Sequence, residues 1–133
     1  MPGIIEIQSV MTKLPHAIGL DQSVDLARSM MQEYKIHHLP VQKGGRLVGV
    51  ISDRDIRYAA GWARPSDPKL MIEDVYTPEP YVVEPTAALD QVLMRMVNDQ
   101  LGCALIAINT DKLVGIFTVT DACRYLASLV RER

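Results

Sequence analysis

Two short motifs in this chain place a hydroxyl side chain three residues before an aspartate. Ser52 precedes Asp55 in the first motif, and Thr118 precedes Asp121 in the second. A carboxylate offers two acceptor oxygens to a vicinal diol, a pairing that favours ribose. A hydroxyl residue at the start of a helix lies beside free backbone N–H groups and the positive end of the helix dipole, which favour phosphate. This is binding chemistry, because it requires no nucleophilic attack.

The same spacing has a purely structural interpretation. A serine or threonine that caps a helix, followed three residues later by an acidic side chain, closely resembles a capping box, which forms without any ligand. A capping box can be duplicated together with the rest of a sequence. The spacing alone therefore leaves both roles open, and the two roles are compatible.

The motifs belong to a longer internal duplication. The stretch LVGVISDRDIRY at 47–58 returns as LVGIFTVTDACRY at 113–125. Upstream, the Val-x-Thr-x-x-Pro pattern at 10–15 returns at 75–80. A repeat of this length with nearly constant spacing indicates two copies of one folding unit, and a cleft between copies is a natural place for a ligand.

Composition limits the kinds of partner and compartment. The chain has 133 residues, of which 48% are hydrophobic, and a formal net charge of −2 with a pI near 5.9. Nucleic-acid binding relies on a basic surface, so no nucleic-acid partner is expected. The apolar runs are too short for a membrane span, and MPGIIEIQSV at the N-terminus does not resemble an export signal. We therefore expect a cytoplasmic protein without a membrane partner.

The cysteines and histidines do not suggest a metal site or a disulfide. Cys103 and Cys123 are expected to be reduced, buried thiols. His37 and His38 are adjacent on a predicted strand, so their side chains point to opposite faces and do not readily bind one ion. No set of nucleophile, base and orienting group is visible, which argues against an enzyme that uses Asp53, Asp55 or the histidines.

Hydrophobic periodicity predicts a βαββα order in each copy, and therefore an α/β (α+β) fold with small sheets backed by helices. The first helix is expected to begin at Asp21 as N-cap, and Pro85-Thr86 to open the corresponding helix, with Val97 on its apolar face. Gly61 is expected to end the last helix of copy one. The predicted boundaries are 1–61 for copy one, 62–69 for a linker and 70–133 for copy two.

The ordered set HHLPV at 37–41, GVISDRD at 49–55 and GIFTVTD at 115–121 resembles a pair of CBS domains, the tandem unit called a Bateman module. The resemblance covers roughly residues 8–128. It implies a stand-alone regulatory protein that binds an adenosine-containing ligand (AMP, ADP, ATP or S-adenosylmethionine) in clefts between the copies, with no other cofactor required. Copy two departs from the pattern at 104–106, where Ala-Leu-Ile replaces the Leu-Pro-Val of copy one.

The resemblance also implies roles for individual residues. The motif aspartates would hold the ribose hydroxyls, and the motif Ser or Thr would lie near the phosphate. The adenine would be held by residues of the other copy. Ser52 and Asp55 would therefore face Thr77, Tyr81, Val82 and Gly102, whereas Thr118 and Asp121 would face Thr12, His16, Ala17 and His37.

Two functions are favoured over the third alternative, an enzyme. The first is a ligand-sensing module that modulates a partner protein, whose identity the sequence does not reveal. The second is a ligand-silent interaction protein in which the paired repeats only build a dimer surface. A homodimer is expected in both cases, because two small copies with apolar residues on outer helix positions favour association.

Overall fold

The structure, a computed structural model, describes residues 3–61 and 69–132. Of the predicted linker 62–69, only Lys69 is therefore among the described residues. The chain divides into two compact units: a central unit, His16–Pro80, and a terminal unit that combines Met1–Pro15 with Tyr81–Arg133.

The central unit holds a four-stranded sheet in the order β2-β3-β4-β5. The parallel pair is β2–β3, and the other pairs are antiparallel. The core beneath the sheet is aliphatic and includes Leu39, Val41 and Ile51. The elements are β2 (Ile18–Gly19), α1 (Val24–Tyr34), β3 (His38–Lys43), β4 (Arg46–Ser52), α2 (Asp53–Ala60), α3 (Ile72–Val75) and β5 (Thr77–Pro78).

The terminal unit repeats this plan with the sheet order β1-β8-β7-β6. Its parallel pair is β6–β7, and its core includes Ile106 and Phe117, both fully buried. A short 3-10 helix, Ile7–Ser9, precedes the first strand. The elements are β1 (Thr12–Lys13), β6 (Val82–Val83), α4 (Leu89–Asn98), β7 (Cys103–Ile108), β8 (Lys112–Thr118) and α5 (Val119–Arg131). The predicted fold class, tandem βαββα repeats with small sheets backed by helices, is confirmed.

The compact units do not follow the repeat boundaries in the sequence. The strand β1, which begins copy one, pairs with β8 of copy two, and β5, which begins copy two, pairs with β4 of copy one. Each sheet is therefore completed by the leading segment of the other copy. The sequence repeat divides the chain near 61–70, whereas the compact units divide it at 15–16 and 80–81.

Several local predictions need correction. Ser23, not Asp21, caps α1: its hydroxyl accepts a hydrogen bond from the backbone N–H of Leu26 at 3.1 Å. The helix predicted from Pro85-Thr86 begins at Leu89. Val97 is 67% exposed, so it does not belong to the buried face of α4. Gly61 does follow α2, but it keeps a right-handed backbone (φ −69°).

Candidate functional site

The first motif lies where β4 passes into α2. Ser52 is the N-cap of α2, and its hydroxyl accepts a hydrogen bond from the backbone N–H of Asp55 at 3.1 Å. The Asp55 Oδ2 atom accepts from the backbone N–H of Ser52 at 3.0 Å in return. These reciprocal bonds are a complete capping box. The structural interpretation of the first motif is therefore correct, whatever else the motif does.

Thr77, which lies near the start of copy two, is close to this capping box. The pairing of β5 with β4 places Thr77 opposite Val50, and its hydroxyl lies 3.5 Å from Asp55 Oδ2. The close approach depends on Gly49, because a Cβ atom there would lie 2.5 Å from the Thr77 carbonyl oxygen and from Cδ2 of Tyr76. The glycine of the motif thus has a packing role that helps bring Thr77 to Asp55.

The second motif repeats the box at the start of α5. The Asp121 Oδ2 atom accepts hydrogen bonds from the Thr118 backbone N–H at 2.8 Å and from the Thr118 hydroxyl at 3.0 Å. The backbone N–H of Asp121 donates to the Thr118 hydroxyl at 3.3 Å. Asp121 is only 6% exposed and is the one buried charged residue in the described part of the chain.

Two further donors occupy the other oxygen of Asp121. The Thr12 hydroxyl donates to Oδ1 at 2.9 Å, and Arg124 Nη1 donates to the same atom at 3.3 Å. Thr12 is positioned by the pairing of β1 with β8, which places it opposite Ile116. A Cβ at Gly115 would clash with the Met11 side chain, so this glycine also admits the exchanged strand.

A histidine, an aspartate and an arginine lie together beside the first motif. His37 Nδ1 lies 3.0 Å from Asp53 Oδ2, and Arg57 Nη1 lies 3.9 Å from the same oxygen. Partial burial alone would raise the pKa of Asp53, but the hydrogen bond and charge of His37, together with Arg57, lower it overall. Burial lowers the pKa of His38, and the negative charge of Asp53 only partly opposes this.

The CBS-domain family model matches residues 7–61 and again residues 72–128. The chain belongs to the CBS-domain family. The resemblance noted from the motifs is therefore confirmed, and the two motifs lie one in each CBS domain.

Individual relatives agree with this assignment. Inosine-5'-monophosphate dehydrogenase of Korarchaeum cryptofilum is 28% identical over 115 residues, which is 86% of this chain but only 22% of that relative. An AcuB protein of Vibrio cholerae, assigned to acetoin utilization, has a crystal structure with a TM-score of 0.86 at 25% identity, covering 97% of this chain and 95% of that chain. CBSX2 in complex with AMP has a TM-score of 0.79 at 26% identity, covering 96% and 98%.

The other predicted CBS ligand residues are distributed between the two units. The central unit contains His16, whose ring stacks on Tyr34 with centroids 3.6 Å apart, and Ala17, which lines a groove of about 410 Å³ near the Gly44-Gly45 turn. His37 also lies in this unit, with Ser52, Asp55 and Thr77.

The terminal unit contains the remaining residues. Arg95 lies over the Tyr81 ring, 4.9 Å from its centroid, and burial raises the pKa of the Tyr81 hydroxyl. Val82 pairs with Leu105, and Gly102 directly precedes β7. The predicted sets that combine Ser52 and Asp55 with Tyr81, Val82 and Gly102, and Thr118 and Asp121 with His16, Ala17 and His37, join residues of different units and stay predictions.

Two contacts beside the motifs were not predicted from the sequence. Arg124 contacts Asp121, a pair that their i,i+3 spacing on α5 would have indicated. Asp53 contacts His37 because the register of β3 with β4 places the two side chains at the same strand end. A prediction of the hairpin register would have found this pair.

The two cysteines differ. Cys103 is buried, and burial raises its pKa to about 12. Cys123 is exposed, so the prediction that it is buried is wrong. Position 123 lies off the inward face of α5, where Ala122 and Tyr125 pack against the core.

No helix in the described part of the chain is both long and apolar enough to span a membrane. Within residues 3–61 and 69–132, no three His, Cys, Asp or Glu side chains are grouped so that they could hold a metal ion.

Proposed function

We propose that this protein is a regulatory module that binds an adenosine-containing ligand (AMP, ADP, ATP or S-adenosylmethionine) and modulates a partner protein when the ligand is bound. The observation that carries the proposal is the hydroxyl–aspartate pair at the start of α2 and again at the start of α5. The AMP complex of CBSX2, a protein of similar fold at 26% identity, supports the ligand class.

The chemistry of such a site is binding alone. The carboxylate of one or both motif aspartates accepts hydrogen bonds from the ribose diol, and the capped helix start favours a phosphate near Ser52 or Thr118. Regulation follows if the ligand binds two arrangements of the protein with different affinity, since only differential affinity shifts an equilibrium.

A thermal-shift screen with AMP, ADP, ATP and S-adenosylmethionine tests the ligand class. A ligand at one hundred times its Kd stabilises the folded state by about 2.7 kcal/mol, which raises Tm by several degrees. The double variant Asp55→Ala/Asp121→Ala should lose this rise. Mass spectrometry of the purified protein identifies any ligand that remains bound.

The matched control is Asp25→Ala on α1. Asp25 forms only exposed ion pairs with Arg28 and Lys69, so its replacement should leave the ligand-induced shift unchanged. A screen without any shift, or a double variant that keeps the full shift, would reject nucleotide binding. Turnover of any nucleotide in the panel would instead favour an enzyme.

A ligand-silent dimeric scaffold is the second candidate, and one surface favours it. Val119, Leu126 and Val130 are each more than half exposed on α5, with the exposed Cys123 between them. Their spacing places them on one face of the helix. We propose that this face contributes to a homodimer, which the nucleotide-sensing function also accommodates.

Light scattering tests the dimer. The expected mass is twice that of the 14.8 kDa chain, and Leu126→Glu should shift the protein towards monomer because it places a charge in the apolar face. Glu132→Gln, a change beyond this face, is the control. A wild-type protein that stays monomeric at all concentrations would contradict the proposal.

A further inference from the structure

The Asp121 carboxylate has no spare hydrogen-bonding capacity. A carboxylate has two oxygens with about four lone-pair positions in all. Four donors lie within hydrogen-bonding distance of Asp121: the Thr118 backbone N–H and hydroxyl on Oδ2, and the Thr12 hydroxyl and Arg124 on Oδ1. Every acceptor position is therefore already used within the terminal unit.

Burial also limits the access of a ligand to Asp121. Asp121 is 6% exposed, so a ligand diol would have to displace donors from a carboxylate that has little open surface. The buried carboxylate would then lose hydrogen bonds from groups such as the Thr12 hydroxyl, which is costly. The bond from Thr12 also ties β1 to the start of α5.

The Asp55 carboxylate has capacity to spare. The two donors that reach it, the Ser52 backbone N–H and the more distant Thr77 hydroxyl, both approach Oδ2. Among the described residues, no side chain or backbone N–H donates to Oδ1 of Asp55, and the residue is half-buried. The two acceptor positions of Oδ1 match the two O–H donors of a vicinal diol.

From these contacts we infer that the two motif aspartates have different roles. Asp55 is the carboxylate that binds the ribose diol, whereas Asp121 is a structural tether between Thr12 and α5. The chain then binds one adenosine-containing molecule instead of two. This inference rests on the proposed function and names which of its two motifs binds.

Isothermal titration calorimetry with AMP tests the inference, and the titration is repeated with ATP and S-adenosylmethionine. The wild-type chain should bind one AMP per chain. Asp55→Asn keeps the size of the side chain but removes an acceptor and the charge, so AMP affinity should fall at least tenfold. Asp121→Asn should lower affinity much less than Asp55→Asn does.

Because Asp121→Asn can also disturb folding, Thr12→Val provides a second measurement. It removes one donor from the Asp121 tether and leaves the carboxylate in place, so the stoichiometry should remain one AMP per chain. If Oδ1 of Asp121 were a latent ribose site, releasing it from Thr12 would add a second binding event. Ser23→Ala, at the cap of α1, is the control for unspecific loss of stability.

Four results would overturn the inference and leave the proposed function intact. They are two AMP molecules per wild-type chain, a second binding event in Thr12→Val, wild-type affinity in Asp55→Asn, and a larger loss in folded Asp121→Asn than in Asp55→Asn. Failure of the wild-type chain to bind AMP, ATP or S-adenosylmethionine would reject the proposed function, and the inference with it.

Discussion

The two capping boxes are built from the same local sequence pattern, but their aspartate carboxylates differ in how many hydrogen bonds they accept. In both, the aspartate carboxylate accepts the backbone N–H of the residue three positions earlier, at 3.0 Å for Asp55 and 2.8 Å for Asp121. The third partner differs: the exchanged threonine lies 3.5 Å from Asp55 but 2.9 Å from Asp121. Local spacing forms the box, whereas a distant strand decides how much of the carboxylate remains available.

The residues around the two boxes differ as well. Copy one places His37, Asp53 and Arg57 in an exposed ionic cluster beside Ser52. The matching positions of copy two hold Gly102, Val119 and Cys123, so no histidine, aspartate or arginine stands there. Duplication kept the backbone plan and allowed the electrostatics of the two helix starts to diverge.

The largest expected effect is on stability after removal of each aspartate. Asp121→Ala should lower the free energy of unfolding by about 2–3 kcal/mol, because it removes a buried carboxylate that accepts hydrogen bonds from Thr118, Thr12 and Arg124. Asp55→Ala should cost about 1 kcal/mol, because it removes the Asp55 half of the capping box and leaves Ser52 as the N-cap. Urea denaturation followed by circular dichroism measures both, and equal losses would contradict the contrast between tether and open carboxylate.

The next largest difference in stability is expected between alanine substitutions of the two motif glycines. Gly49→Ala drives a Cβ into the backbone of Thr77, so it should cost about 1–3 kcal/mol of unfolding free energy. Gly115→Ala meets only the Met11 side chain, which can move aside because methionine is flexible. We therefore expect a smaller loss for Gly115→Ala in the same denaturation experiment, and the reverse order would show that β5 yields more easily than Met11.

The threonines on the exchanged strands β1 and β5 should give a smaller difference in stability. Thr12→Val removes a hydrogen bond at 2.9 Å to a buried carboxylate and should cost about 1 kcal/mol. Thr77→Val removes a contact at 3.5 Å to a half-buried one and should cost less. Serine at each position retains the hydroxyl and is the matched control. A greater loss for Thr77→Val would place the stronger tether in the central unit.

The smallest effect concerns pH. Burial lowers the pKa of His38 below 6.5. As the pH falls, His38 is therefore protonated at a higher pH in the unfolded chain than in the folded protein. The stability that the neutral imidazole contributes is present above pH 6.5 and is lost as the pH falls below it. The matching residue of copy two, Cys103, has a pKa of about 12 and stays neutral in this range.

The test is thermal denaturation of wild type and His38→Gln between pH 7.5 and pH 5. The wild-type Tm should fall more steeply than that of the variant as the solution becomes acidic. Parallel curves would mean that His38 does not contribute to the pH dependence.

Part of this fold could be predicted from the sequence because it depends on local spacing. Apolar periodicity gives helices and strands, and a hydroxyl residue three positions before an acid gives a capping box wherever a helix starts. Competition between neighbouring caps was not predictable in the same way. Ser23 replaces Asp21 as cap of α1 because its pairing with Met71 holds Ser23 in an extended conformation at the helix start.

By itself, the sequence determined the duplication, the βαββα order and the position of each aspartate at a helix start, since these follow from contacts within a few residues. Only the tertiary structure decided that β1 and β5 are exchanged between copies, that Asp121 is saturated with donors while Asp55 is not, and that Cys123 is exposed. Periodicity shows which face of an element is apolar, but it does not show that β1 pairs with β8 or that β5 pairs with β4. Each of these pairs joins strands that are distant in sequence. The distance from the threonine of each exchanged strand to its carboxylate depends on packing that no local pattern encodes.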